Sequence, residues 1–197
     1  MIHMKNNVGF WGRAFCICLL VMVIMAAGAA RLRADAEPRM VDLLITSNTK
    51  NVLLYARLVD CFKTEMESAI LAGVPAIFTL RLDVYQERSN LWDKHIVSKE
   101  IHRTIKYDNL KKTFLITTNG MSQPVIFPDF ESAQKAMADL NGISVIPLSS
   151  LSRGNNYRAQ IQVKMDKVRL PFNMEYVLFF VSLWDFETPL YKIRFSY

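Results

Sequence analysis

The chain has 197 residues, with 24 Lys and Arg against 18 Asp and Glu, a formal net charge of +6. Residues 1–36 hold four of the basic residues and one of the acidic, so the remaining 161 residues carry only +3. That is too mild for a nucleic-acid binder, which shows a concentrated basic stripe, and the length is that of one domain able to bury a core.

In chain order, residues 1–36 read first as an export signal. Lys5 and Arg13 precede the apolar run AFCICLLVMVIMAAGAA, and small residues follow in two cleavage-like patterns, Ala27-Gly28-Ala29 and Ala34-Asp35-Ala36. The most apolar part, residues 14–25, is shorter than the roughly 20 residues a spanning helix needs. Counting through Ala30 extends it to 17 residues, so an uncleaved amino-terminal anchor is the alternative. Arg31 and Arg33 count against easy export. The expected location is the periplasm, or the inner membrane facing the periplasm if the leader is kept. Residues 37–197 are then a single domain, touching a membrane only through that leader. Cys16 and Cys18 lie in the apolar run, which leaves Cys61 alone in the domain. One cysteine makes neither a disulfide nor a zinc site, and beside Phe62 it is expected as a small buried hydrophobe.

Residues 41–47 and 52–59 read as a hairpin turning through Asn48-Thr49-Lys50-Asn51. A helix is expected over residues 60–72, with Phe62, Met66, Ala69 and Ile70 on one stripe. Gly73 suits the left-handed position after it and Pro75 stops it. Residues 76–84 alternate with period two, Ala76, Phe78, Leu80, Leu82 and Val84 on one side, Thr79, Arg81 and Asp83 between them. Further strands are expected over 96–107 and 111–118, separated from their neighbours by loops at 87–93 and 119–123. A second helix over 129–140 has Asp129 as N-cap and a stripe of Phe130, Ala133, Met137 and Leu140, with Gly142 beyond its end. After a polar loop at 149–156, residues 157–165 alternate again through Tyr157, Ala159, Ile161, Val163 and Met165. Residues 174–183 (MEYVLFFVSL) are too short to span a bilayer and lack the basic face of an interfacial helix, so they read as a buried element. Thr188-Pro189 reads as a turn, and residues 191–197 as an amphipathic last strand. Clean alternation argues for antiparallel strands with one wet face. The expected fold is α+β: a curved, mainly antiparallel sheet with two or three helices packed on its apolar face.

The stretches LAGVPAIFTLRLDVYQERSNLWD, IKYDNLKKTFLI and LPFNMEYVLFFVSLWDFETPLYKIRF carry a resemblance that covers essentially the whole chain after the leader. Its most specific markers are Gly73-Val74-Pro75, the Arg88-x-x-x-Trp92-Asp93 pattern and the aromatic tail. The chain resembles an uncharacterised exported bacterial family known only as a domain of unknown function, the 4390 family. The resemblance implies an exported protein, and it hints at a membrane sensor kinase of the nitrogen-regulation type as partner, because some members are encoded beside one. It supplies no catalytic or binding residues.

The chemistry-bearing residues are few. His95 and His102, seven apart on one strand, are expected on opposite faces, unable to share a metal. No G-x-S-x-G surrounds Ser149, Ser152 or Ser182, and no glycine loop cradles phosphate; no cofactor is expected. Asp185 and Glu187 could sit on one face of an extended segment as a carboxylate pair for hydrolysis, but nothing beside them binds a substrate. Trp-Asp occurs twice, at Trp92-Asp93 and Trp184-Asp185. Each indole is read first as packing at the rim of the core, and otherwise as an interface anchor. The leading expectation is a non-enzymatic binding protein of the cell envelope, with Trp92, Asp93, Trp184 and Asp185 as partner contacts. The alternative is a carrier enclosing an apolar ligand between Phe78, Leu80, Ile161 and Val163.

Overall fold

A computed structural model describes residues 36–166 and 185–197. Residues 1–35 of the expected leader, the 174–183 segment and Trp184 lie outside the described residues. Among the described residues ten strands and two α-helices follow in order: β1 (Arg39–Ser47), β2 (Asn51–Val59), α1 (Thr64–Leu71), β3 (Ala76–Gln86), β4 (Lys94–Asp108), β5 (Thr113–Thr118), β6 (Val125–Phe127), α2 (Phe130–Ala138), β7 (Ile143–Pro147), β8 (Asn156–Asp166), β9 (Phe186–Glu187) and β10 (Tyr191–Ser196).

The described strands form two open antiparallel sheets instead of the single curved sheet expected. The small sheet runs β1-β2-β7 and the large one β10-β8-β3-β4-β5-β6, with β9 also against β8. The mainly antiparallel character and the two helices agree with the sequence reading. The sheet count does not: among the described residues β1 and β2 pair with each other and β2 with β7, at Asn51–Leu54, and neither pairs with a strand of the large sheet. Apolar faces of both sheets enter one buried cluster. Val52, Leu54, Ala56 and Leu58 come from β2, Phe78, Leu80 and Leu82 from β3, and Ala159, Ile161 and Val163 from β8. Polar links span the sheets too. The Lys99 Nζ of β4 donates to the Ser144 carbonyl of β7 at 2.7 Å, and the Met40 amide of β1 donates to the Tyr191 hydroxyl of β10 at 3.0 Å.

The β1–β2 hairpin closes where expected: the Asn48 Oδ1 accepts from the amides of Lys50 and Asn51 at 2.8 and 2.7 Å, an Asx turn that replaces ladder bonds. The first helix is shorter than its apolar stripe suggests. Asp60 takes φ +58°, which no helix residue can hold, and Lys63 is still extended at φ −97° and ψ 155°, so α1 starts only at Thr64 and Phe62 packs before it. Gly73 does take the left-handed position, φ +92°. Asp129 caps α2 as expected, accepting from the Ser132 amide at 2.8 Å. Strands β6, β7 and β9, of three, five and two residues, escaped the sequence reading because so few residues show no period.

β9 and β10 share one edge of β8, and Thr188 bridges the break between them. Its amide donates to the Val163 carbonyl at 2.8 Å, and its Oγ1 accepts from the Val163 amide at 3.0 Å. The side chain therefore takes over a ladder bond just before Pro189. Thr188→Val keeps the shape and removes the acceptor, leaving a buried N–H unpaired. It is expected to cost about 2 kcal/mol, measured by urea unfolding.

The outer face of the large sheet corrects the histidine expectation. Between Val84 and Tyr85 the β3–β4 register slips by a β-bulge, which adds one residue to β4 and reverses which face the residues before it use. His95 then lies opposite Tyr85 and His102 opposite Thr79, both on the outer face. Thr79 Oγ1 is 2.8 Å from His102 Nδ1. The six-residue offset along β3 is about 20 Å, so the two still share no metal.

Candidate functional site

The residues between β3 and β4 form a tip in which Leu91 is 67% and Trp92 94% exposed. The indole therefore does not seal the core rim, the reading placed first for it. Packing cannot explain why so large an apolar side chain stands in water here, which is what makes the tip a candidate contact point.

What holds the tip is a set of outer-face side chains brought together by register. Tyr85 is the cross-strand partner of both His95 and Arg158, and Arg158 is in turn opposite Arg194. Two arginines directly across from one another repel. Glu87, the first residue after β3, offsets this by accepting from Arg194 Nε at 2.8 Å and lying 3.7 Å from Arg158 Nη1. Donating to the Glu87 carboxylate raises the Arg194 guanidinium above its ordinary pKa. At the other root of the tip, Asp93 accepts from Arg158 Nη2 at 2.6 Å. The Arg158 guanidinium lies 5.6 Å from the Tyr85 ring centre, and Tyr85 meets the His95 ring at 5.1 Å. His95 Nε2 is 3.4 Å from Asp83. The Glu87 amide donates to the Asn156 carbonyl at 2.9 Å. Arg158 thus clamps both ends of the tip, and its side chain is only 24% exposed, so these pairs are screened less than surface pairs.

Of the residues singled out from sequence, Trp92 and Asp93 lie together here, with opposite roles: Asp93 is the anchor and Trp92 the presented group. Asp185 and Glu187 are exposed on either side of half-buried Phe186 in β9, away from the tip. Arg158, Glu87 and Arg194 were missed. For Arg158 and Arg194 the signal was present as the polar half of alternating strands, while Glu87 opened a loop; alternation shows which face a residue takes, not its cross-strand partner.

Phe78, Leu80 and Val163 line a gap of only about 10 Å³, shared with Leu58, Ile101, Arg103, Met137 and Leu140. That is at the limit for a single water. Ile161 is fully buried. A larger cleft of about 740 Å³ opens between the end of β2 and α2, lined by charged groups that include Asp42, Arg57, Asp60 and Lys135. Burial pushes the Cys61 thiol up to about 12, so it is not a thiolate at neutral pH. Among the described residues no three His, Cys, Asp or Glu side chains group as a metal site, and no helix is long and apolar enough to cross a membrane.

The profile of a domain of unknown function (DUF4390) matches residues 36–194. The chain belongs to this family. The match begins within three residues of β1 and ends inside β10, so both sheets and the tip are parts of the family's domain. No curated protein and no solved structure matches the chain.

Proposed function

We propose that the protein is an exported, non-enzymatic accessory protein of the cell envelope, and that it works by contact at the Leu91–Trp92 tip. The observation that carries this is an indole 94% exposed on a base fixed by the Asp93–Arg158 pair. Holding a side chain ready in its binding position lowers the ordering cost of association, and Trp is the side chain most enriched among energetic anchors. The protein partner proposed is a membrane sensor kinase. Export, with the leader cut after residue 29 or 36 or kept as an anchor, belongs to the same proposal. The carrier alternative is less well supported, because about 10 Å³ between Phe78, Leu80 and Val163 holds no ligand.

The test is a photoreactive amino acid at exposed Asn90, in living cells, with captured proteins identified. A specific adduct with the extracytoplasmic part of a membrane sensor kinase is expected. Trp92→Ala should cut its yield about ten-fold, the effect of losing one modest anchor. Arg158→Ala should cut it less, by unpinning the tip without removing the indole. A yield that ignores Trp92→Ala rules out the tip as the contact.

A further inference from the structure

The charge around the tip narrows the chemistry of what it meets. Both carboxylates at its roots, Glu87 and Asp93, are only 23% and 29% exposed and turned onto Arg158 and Arg194. The cations are distributed differently. Arg88 and Lys94, on either side of Leu91–Trp92, are exposed. So is Arg153, in the turn before β8, whose Asn156 carbonyl takes the Glu87 amide. Among the described residues none of these three is ion-paired. Arg194, although bonded to Glu87, is 76% exposed. This end of the molecule therefore offers solvent an apolar pair flanked in the chain by Arg88 and Lys94, with Arg153 and Arg194 exposed on the neighbouring turn and strand.

We propose, resting on the contact reading above, that the partner is a protein surface with an apolar pocket for Trp92 and a rim of Asp and Glu around it. Unpaired exposed cations at the edge of a contact steer an acidic partner in and penalise a basic one. The built geometry favours a protein over an anionic lipid surface. Arg158 fixes the tip in one register, which serves a partner of fixed shape, whereas a fluid headgroup layer needs no register. Two apolar side chains also bury little, and membrane anchoring by one weak signal is marginal.

The experiment keeps the photoreactive residue at Asn90 and Trp92 intact, and adds Arg88→Glu, Lys94→Glu and Arg153→Glu together. An unchanged thermal midpoint confirms the fold. The adduct yield is expected to fall at least ten-fold, and to return when the same positions carry Lys, Arg and Lys. The partner peptide captured in the parent protein should contain or flank Asp or Glu. An undiminished adduct in the charge-reversed protein overturns the acidic rim and leaves the contact reading standing. No specific adduct in the parent protein overturns both. Flotation of the purified protein with phosphatidylethanolamine–phosphatidylglycerol vesicles, but not with phosphatidylcholine vesicles, overturns the protein partner in favour of anionic lipid.

Discussion

Phe78→Ala is expected to lower the unfolding free energy by about 4 kcal/mol, the range of buried Phe truncations, and the melting temperature by about 8–16 °C for a domain of this length. Phe78 lies on the inner face of β3, 3% exposed, and two other aromatic rings meet its own. Phe62, ahead of α1, lies 5.2 Å away between ring centres. Phe186 of β9 meets it edge-on at 5.4 Å. Phe62 in turn stands edge-on to Phe130 at the start of α2, at 5.9 Å. Such pairs add about 0.5–1.5 kcal/mol beyond buried area, so losing the shared ring costs more than one residue's burial. Phe78→Leu, which refills most of the space, should recover more than half of the loss. Urea unfolding of the three proteins decides the matter. A loss below about 1.5 kcal/mol for alanine would mean that the neighbours collapse into the gap and that the aromatic junction is not a keystone.

That junction shows what the sequence disclosed and what it withheld. Ala76, Phe78, Leu80, Leu82 and Val84 could be placed on one face from their period alone, and all five are buried. The same held for Tyr157 to Met165. The caps at Asp129 and Gly73 were legible because their chemistry is local: an Asx oxygen for an orphan amide, a missing Cβ for a positive φ. Partnership between strands is not local. Nothing in residues 52–59 tells that β7, some ninety residues on, pairs with them, and so one sheet was expected where two are found.

The tip divides along the same line. Its existence, and its unusual Trp-Asp, could be read as a loop with an aromatic. Its clamp could not, since Arg158 is 65 residues from Asp93 and Arg194 is 107 from Glu87. The bulge at Tyr85 had a further effect. By shifting β4 one residue it put His95 on the outer face beside Asp83 and Tyr85, where simple counting from His102 placed it inside. Counting by twos is reliable only while the ladder is regular.

The residue least foreseeable from sequence is Arg103, and its removal is the second large effect. It is the cross-strand partner of Phe78 in β4, an inward position where period two calls for an apolar side chain. The guanidinium reaches past Met137 and Leu140 to the end of α2. There Nη1 donates to the Ala136 carbonyl at 3.1 Å and also to the Asp139 carbonyl. Carbonyls of a last helical turn have no partner within the helix and carry the negative end of its dipole. A cation there satisfies them and binds the helix to the sheet at one stroke. Burial depresses the Arg103 pKa, with Asp139 acting in the opposite direction, but an arginine stays charged under any ordinary condition. Arg103→Ala removes a charged donor and opens space beside the gap already present, and is expected to cost about 3 kcal/mol. Two further variants separate the causes. Arg103→Met restores the volume without the donor, and Arg103→Lys restores one donor without the planar fork. If capping dominates, Lys recovers more stability than Met, and amide exchange in residues 130–138 speeds up in Met but not in Lys. A Met variant as stable as the parent would show that the guanidinium contributes only bulk, and that α2 is held by its Phe130, Ala133 and Met137 face alone.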